Sequence, residues 1–168
     1  MRLYVVRHSE PVPPETVEDD ANVSGFDPPL TDLGREMVQA LGAWMLDKDE
    51  VPNSILASPK LRTQETAEIL RECFGLPQIE TKQSLGPSMG ITKMVQKVAQ
   101  DASRTRVMLV SHHETIAHGL RVLNLDPNPH ADMYAEAEMR IYKVSRKDGS
   151  WKEHRRVRPG ELGYRDQY

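Results

Sequence analysis

The chain has 168 residues, of which 38% are hydrophobic and 28% charged, and its formal net charge at pH 7 is −3. A chain of this length can bury about two-thirds of its unfolded surface in one core, so we expect a single domain. The charge balance lacks the basic surplus of nucleic-acid-binding proteins, and no apolar stretch has the length of a membrane-spanning helix. The one cysteine excludes an internal disulfide and a cysteine-based metal site.

The first third of the chain predicts alternating strands and helices. Residues 3–6 form an apolar run that predicts the first strand, and the proline-rich, acidic residues 11–29 predict an irregular loop. Thr31 is a good N-cap for a helix that ends near Asp47, because apolar residues recur at helical spacing after it. Residues 54–57 then predict a short buried strand.

The rest of the chain continues this alternation. Ser58 and Pro59 suit the N-cap and first turn of a second helix, which the Gly-Leu-Pro sequence at 75–77 ends. The later predicted elements are a third helix with apolar positions from Ile91 to Ala102, a strand at 106–111, a helix that ends at 126–129, and a hairpin of strands 139–143 and 151–157 around a turn at 147–150.

Two of the predicted strands end in a histidine. Arg7 and His8 follow the first strand, His112 follows the strand at 106–111, and Arg62 comes shortly after the strand between them. Ligands of open parallel sheets bind outside the carboxyl ends of the strands, so we expect these side chains to meet at one edge. Two guanidinium and two imidazole groups form a pocket for a dianion, in which a histidine can accept a phosphoryl group.

Four segments resemble the motif blocks of the histidine phosphatase superfamily and occur in the family's order. They are VRHSE at 6–10, PLTDLGR at 29–35, ASPKLRTQET at 57–66 and VSHHETI at 110–116. The superfamily contains phosphoglycerate mutases, broad phosphomonoesterases and compact bacterial phosphohistidine phosphatases, and this short chain resembles the compact group most. The resemblance implies an α/β fold: a three-layer α/β/α sandwich with a mostly parallel central sheet, phosphoglycerate mutase-like, in one histidine phosphatase domain over residues 1–168.

The resemblance also implies roles for four residues. His8 is the expected nucleophile, forming a phosphohistidine that water then hydrolyses. Arg7 and Arg62 are expected to hold the phosphoryl oxygens, because a guanidinium group matches phosphate geometry. His112 matches the family's second histidine, a phosphate ligand that becomes cationic when the dianion binds. Taken alone, each of these residues could equally be an ordinary strand-end or surface side chain.

Three further residues are candidates for substrate contact. Ser9 stands where the family commonly has glycine, and its side chain narrows the room for phosphate near the backbone, although its hydroxyl can donate a hydrogen bond. Ser58 is expected to be a helix N-cap first, with phosphate contact as its second role. For His113, a position on the surface or behind the phosphate ligands is favoured over direct substrate contact.

We expect no metal ion and no cofactor. His113 and His118 superficially resemble the histidine pair of a zinc-protease helix, but they lie five positions apart. That spacing rotates the second side chain by about 140°, so the two imidazoles do not share a helix face. Arg7, Arg62 and His112 are expected to supply the positive charge instead.

A proton donor is missing from the usual place. The mutases and broad phosphatases usually carry an acidic residue in the insert after the second helix, whereas residues 81–88 contain no carboxylate. Since a general acid typically contributes about 10²–10⁴ in rate, this absence favours leaving groups such as imidazole or phenol over alkoxides. Glu10, Glu15 and Glu114 stay open as substitutes.

The expected function is hydrolysis of a phosphohistidine or phosphomonoester through a covalent intermediate on His8, with phosphohistidine on a protein as the leading substrate class. The alternatives are a small-molecule phosphomonoesterase, a mutase-like enzyme, and a catalytically inactive phosphate-binding module. Expected partners are a phosphorylated protein or a small phosphorylated metabolite, with no nucleic acid and no membrane. The first residues enter a strand without a signal-peptide layout, so we expect a cytoplasmic protein.

Overall fold

A computed structural model describes most of the chain. The described residues are 1–14, 27–87, 91–122, 134–148 and 150–167. The strands are β1 (Arg2–Arg7), β2 (Ser54–Ala57), β3 (Ile79–Thr81), β4 (Arg106–Ser111), β5 (Met139–Val144) and β6 (Trp151–Val157). The α-helices are α1 (Asp32–Asp47), α2 (Leu61–Phe74), α3 (Ile91–Gln100) and α4 (His113–Val122).

The six strands form one sheet in the order β3-β2-β4-β1-β5-β6. The four strands β3, β2, β4 and β1 are parallel, and β5 and β6 are antiparallel to their neighbours. In the register of β1 and β4, Arg7 lies beside Ser111, and in that of β2 and β4, Ala57 lies beside Val110. The residues after β1, β2 and β4 therefore leave the sheet side by side at the carboxyl ends of these strands.

Helices cover both faces of the sheet, which confirms the predicted three-layer α/β/α sandwich. Alternate residues of a strand point to opposite faces. Tyr4 and Val6 of β1 belong to the core beneath α1 and α2, whereas Leu3 and Val5 belong to the core beneath α3 and α4. Burying both faces in this way is typical of mostly parallel sheets.

Several predicted elements are confirmed within a residue or two. Thr31 is the N-cap of α1, and its hydroxyl accepts a hydrogen bond from the Gly34 amide at 2.9 Å. The bounds of β2 and β4 agree with the prediction, and β5 and β6 form the predicted antiparallel pair. Parts of the predicted acidic loop, the helix end at 126–129 and Gly149 of the hairpin turn lie outside the described residues.

Two local predictions are wrong, and one strand was missed. The second helix begins at Leu61 with Lys60 as its N-cap, so Ser58 and Pro59 precede the helix. Ala102 is exposed and lies beyond the end of α3. Strand β3 was not predicted, because three residues are too few to show an alternating pattern and only pairing with β2 makes them a strand.

Gly34 allows α1 to approach the loop after β1. A Cβ atom at this position would lie 2.5 Å from the carbonyl oxygen of Glu10, closer than any side chain can pack. The Thr31 amide also donates to that carbonyl at 3.0 Å. The start of α1 is therefore held against the segment that follows His8.

Candidate active site

His8 lies immediately beyond β1 and is 7% exposed. Its Nδ1 lies 2.8 Å from the backbone carbonyl of Ser9, and its Nε2 lies 3.2 Å from Nε of Arg62. A carbonyl only accepts hydrogen bonds and a guanidinium only donates them. These partners therefore place the proton on Nδ1 and leave the lone pair of Nε2 facing Arg62.

His112 lies just beyond β4 and is 1% exposed. Its ring is 5.3 Å from that of His8, centroid to centroid. Nη2 of Arg62 lies 3.2 Å from Nδ1 of His112, and the Ser58 hydroxyl lies 2.8 Å from Nε2. Because Arg62 donates, Nδ1 is the acceptor, and Nε2 carries the proton that it donates to Ser58.

Ser58 follows β2 and is fully buried. Its hydroxyl contacts His112 and also accepts a hydrogen bond from the Lys60 amide at 3.3 Å. The predicted N-cap role is thus replaced by a contact that orients an imidazole. Nothing in the sequence around Ser58 indicated its pairing with His112, because 54 positions separate them.

Arg62 joins the two histidines from the first turn of α2. Its side chain is 18% exposed, and its remaining nitrogen, Nη1, lies 3.4 Å from a carboxylate oxygen of Asp27. Asp27 also accepts a hydrogen bond from the Leu61 amide at 3.0 Å. Asp27 therefore occupies the positive end of α2, which is a favourable place for an anion.

Arg7 is the last residue of β1, and its side chain is 12% exposed. One terminal nitrogen donates to the Tyr134 carbonyl, and the other lies 3.4 Å from the Glu136 carboxylate. Its Nε is buried and has no hydrogen-bond acceptor among the described residues. A buried donor without a partner is costly, and an oxygen of a bound anion would supply the missing acceptor.

The other two predicted contacts have different surroundings. Ser9 is buried, its hydroxyl donates to the Gly34 carbonyl at 2.8 Å, and its amide donates to the Thr66 hydroxyl at 3.2 Å. Both donors of Ser9 are thus engaged within the protein, and only its carbonyl contacts His8. His113 is half-buried at the first position of α4.

The segment between β3 and α3 is held close to the site. Leu85 is buried, its carbonyl accepts a hydrogen bond from the Ser111 hydroxyl, and the Gly86 carbonyl accepts one from Thr115, both at 2.7 Å. The described part of this segment, 82–87, brings no carboxylate to the site. Two carboxylates that do contact the arginines, those of Asp27 and Glu136, lie outside all four motif blocks, so the sequence alone did not indicate them.

Burial lowers the pKa of both histidines. Loss of hydration is the largest cause for each, followed for His112 by the positive charge of Arg62, and the pKa of each falls from 6.5 to about 3. The hydrogen bond of His8 to the Ser9 carbonyl opposes this shift. Both rings are therefore neutral at pH 7, which is the state in which Nε2 of His8 carries a lone pair instead of a proton.

These two depressed pKa values predict acid sensitivity. Between about pH 3 and 6.5 the unfolded chain binds protons that the folded imidazoles do not bind, so the free energy of unfolding decreases as pH falls through this window. Below about pH 6 we expect a loss of about 1 kcal/mol per pH unit for each histidine. Denaturant unfolding of the parent and His8→Gln at pH 5 to 7 measures this slope, which should be shallower in the variant. Equal slopes would contradict the assignment.

A sequence profile of the histidine phosphatase superfamily, branch 1, matches residues 3–86, half of the chain. The chain belongs to the histidine phosphatase superfamily. The matched region contains three of the four motif blocks, and the block at 110–116 lies beyond it. A search of curated protein sequences gave no match.

Solved structures of other histidine phosphatases have the same fold. The protein histidine phosphatase SixA in complex with tungstate superposes with a TM-score of 0.80 at 18% identity, over 96% of this chain and 99% of SixA. A putative phosphohistidine phosphatase SixA from Agrobacterium tumefaciens gives 0.74 at 18% identity, over 93% and 97% of the two chains. A mycobacterial glucosyl-3-phosphoglycerate phosphatase gives 0.66 at 18% identity, over 90% and 96%.

Two further observations concern the described part of this histidine phosphatase. It contains no group of three histidine, cysteine, aspartate or glutamate side chains that could hold a metal ion. None of its helices is long and apolar enough to cross a membrane.

Proposed function

We propose that this histidine phosphatase removes a phosphoryl group through a covalent intermediate on His8, and that phosphohistidine on a protein is its leading substrate class. The observation that carries the proposal is the pair of contacts on His8. The Ser9 carbonyl orients Nδ1–H, and the lone pair of Nε2 faces the arginine pocket. A neutral, oriented imidazole is the form that can attack phosphorus.

In the first step Nε2 of His8 attacks phosphorus, the bond to the leaving group breaks, and the phosphoryl group becomes attached to His8. Arg62 must first give up its contact with Nε2, because one lone pair cannot accept a hydrogen bond and bond to phosphorus. Arg7, Arg62 and His112 then stabilise the charge on the phosphoryl oxygens. In the second step water attacks phosphorus and releases phosphate, which restores the neutral imidazole.

Two properties support phosphohistidine as the substrate group. The similarity to the SixA structures extends over nearly the whole of both chains, and the glucosyl-3-phosphoglycerate phosphatase fits less closely. The segment at 83–86 packs down onto β4 and α4 rather than adding an acid to the pocket. An imidazole leaving group needs less help from an acid than an alkoxide does.

A small phosphomonoester is the second candidate substrate. One observation favours it, namely the Glu136 carboxyl group beside Arg7. A carboxyl group at this position can donate the proton that an alkoxide needs when it leaves.

The phosphoenzyme itself is the test. Protein mixed with a ³²P-labelled phosphohistidine protein, and separately with a labelled aryl phosphate, is quenched in base within the first turnovers. We expect base-stable, acid-labile label on the peptide that contains His8. Label on another residue, or turnover of both substrates without any label on the protein, would contradict the proposed intermediate.

A further inference from the structure

Residues 134–138 fold against the end of β1. The Arg7 amide donates to the Glu138 carbonyl at 3.1 Å, and the Ala137 amide donates to the His8 carbonyl at 3.3 Å. Arg7 also donates from its side chain to the Tyr134 carbonyl. This short segment thus contacts both residues that β1 delivers to the site, although it belongs to none of the family's motif blocks.

The segment is held in an unusual conformation. Ala137 has a φ of 59° and is completely buried. A residue with a Cβ in this left-handed region costs about 1 kcal/mol or more, and such strain often occurs at functional sites. The neighbouring Glu136 is fastened by its amide, which donates to the Gln167 carbonyl at 2.9 Å. The backbone on both sides of Glu136 is therefore constrained.

The Glu136 carboxyl group is 13% exposed and lies 3.4 Å from Nη2 of Arg7. Burial raises its pKa, the Arg7 charge opposes this shift, and the charge of Glu10 adds to it. A phosphate dianion on Arg7 would add more negative charge beside Glu136 and favour its protonated form further. Substrate binding would thus favour protonation of Glu136, next to the arginine that holds the phosphate.

We propose that Glu136 donates the proton to the leaving oxygen of a phosphomonoester and so allows this protein to hydrolyse alkyl phosphates. This inference rests on the proposed phospho-His8 chemistry. As Nε2 of His8 bonds to phosphorus, the bond from phosphorus to the ester oxygen breaks, and that oxygen takes the carboxyl proton and leaves as an alcohol. Glu136, now a carboxylate, takes a proton from the water that attacks phospho-His8, which returns both groups to their starting states.

Of the three carboxylates that the sequence left open, Glu15 lies outside the described residues, and the other two are less suited to this role. Glu10 accepts a hydrogen bond from the Thr31 hydroxyl at 2.7 Å, which ties it to the cap of α1. Glu114 is exposed in the first turn of α4. Glu136 combines burial with direct contact to a predicted phosphate ligand.

The test compares kcat/KM for a series of aryl and alkyl phosphates of graded leaving-group pKa in the parent and in Glu136→Gln. We expect alkyl phosphates to slow by about 10²–10⁴ in the variant, and phosphates of acidic phenols by less than about threefold, because only poor leaving groups need the proton. Glu36→Gln, at an exposed position of α1, should match the parent throughout. Circular dichroism and thermal unfolding check that each variant is folded.

A second measurement uses the unaltered protein. Its activity on an alkyl phosphate should decline with rising pH as Glu136 loses its proton. Its activity on the most activated aryl phosphate should not show this decline. An equal loss for all substrates in Glu136→Gln, or a leaving-group dependence that becomes steep in Glu114→Gln instead, would overturn the inference. The phosphoenzyme on His8 would form in either case, so failure of the acid is distinguishable from failure of the proposed function.

Discussion

Replacement of His8 with alanine is expected to lower kcat for an aryl phosphate by about three orders of magnitude or more, because the two-step route through a phosphoenzyme disappears. Alanine removes the proposed nucleophile and leaves Arg7, Arg62 and His112, the proposed phosphate ligands, in place. Substrate binding should therefore persist while turnover stops. Stopped-flow release of the phenol, with phosphate binding measured by calorimetry, separates the two effects.

The matched control for this prediction is His118→Ala. His118 is exposed on α4, where its Nδ1 lies 3.4 Å from Nη2 of Arg121. The His118→Ala variant should hydrolyse the aryl phosphate at the parent rate. If His8→Ala hydrolyses the aryl phosphate at the parent rate while binding phosphate normally, His8 is not the nucleophile and the mechanism proposed above is wrong.

Removal of the Arg62 guanidinium should cause the second-largest loss. Arg62 contacts both His8 and His112, so Arg62→Ala removes a proposed phosphate ligand and a hydrogen-bond donor to both rings. Loss of one preorganised charge-stabilising donor typically costs about 10²–10³ in rate, and we expect at least this loss in kcat/KM. Arg62→Lys should recover only part of it, since an ammonium cannot contact two imidazoles with a planar fork.

Arg71→Ala is the control on the same helix. Arg71 lies in the last turn of α2 and pairs with Glu68 at 2.6 Å, far along the helix from the histidines. The Arg71→Ala variant should keep nearly the parent rate.

Arg62→Ala should also raise the pKa of His8 and His112, because the Arg62 charge contributes to lowering both. NMR titration of the ring protons measures this change. Unchanged kcat/KM in a folded Arg62→Ala protein would exclude Arg62 from the phosphate pocket.

Much of the site could be predicted because its residues follow directly from strand ends. Arg7 and His8 come after β1, and His112 comes after β4. Parallel strands bring such ends together without any knowledge of side-chain contacts. The motif resemblance then assigned chemical roles to these residues. The SixA structures confirm the fold that the resemblance implied.

The roles of Ser9 and Ser58 could not be predicted in the same way. The neighbours of each serine in the chain indicate only a side chain beside phosphate for Ser9 and a helix cap for Ser58. In the folded protein Ser9 donates to Gly34 and Ser58 contacts His112. These partners come from other elements, so only packing reveals them.

The amino-acid sequence by itself determined the alternation of strands and helices, the N-cap of α1, the closing hairpin and the set of residues at the strand ends. Those features depend on local patterns, which are hydrophobic spacing, capping groups and turn residues. Only the tertiary structure decided which nitrogen of each histidine carries the proton, and that Asp27 and Glu136 lie against the two arginines. The reason is physical: hydrogen-bond donors and acceptors, and the burial that shifts a pKa, depend on groups that are distant in sequence and adjacent in space.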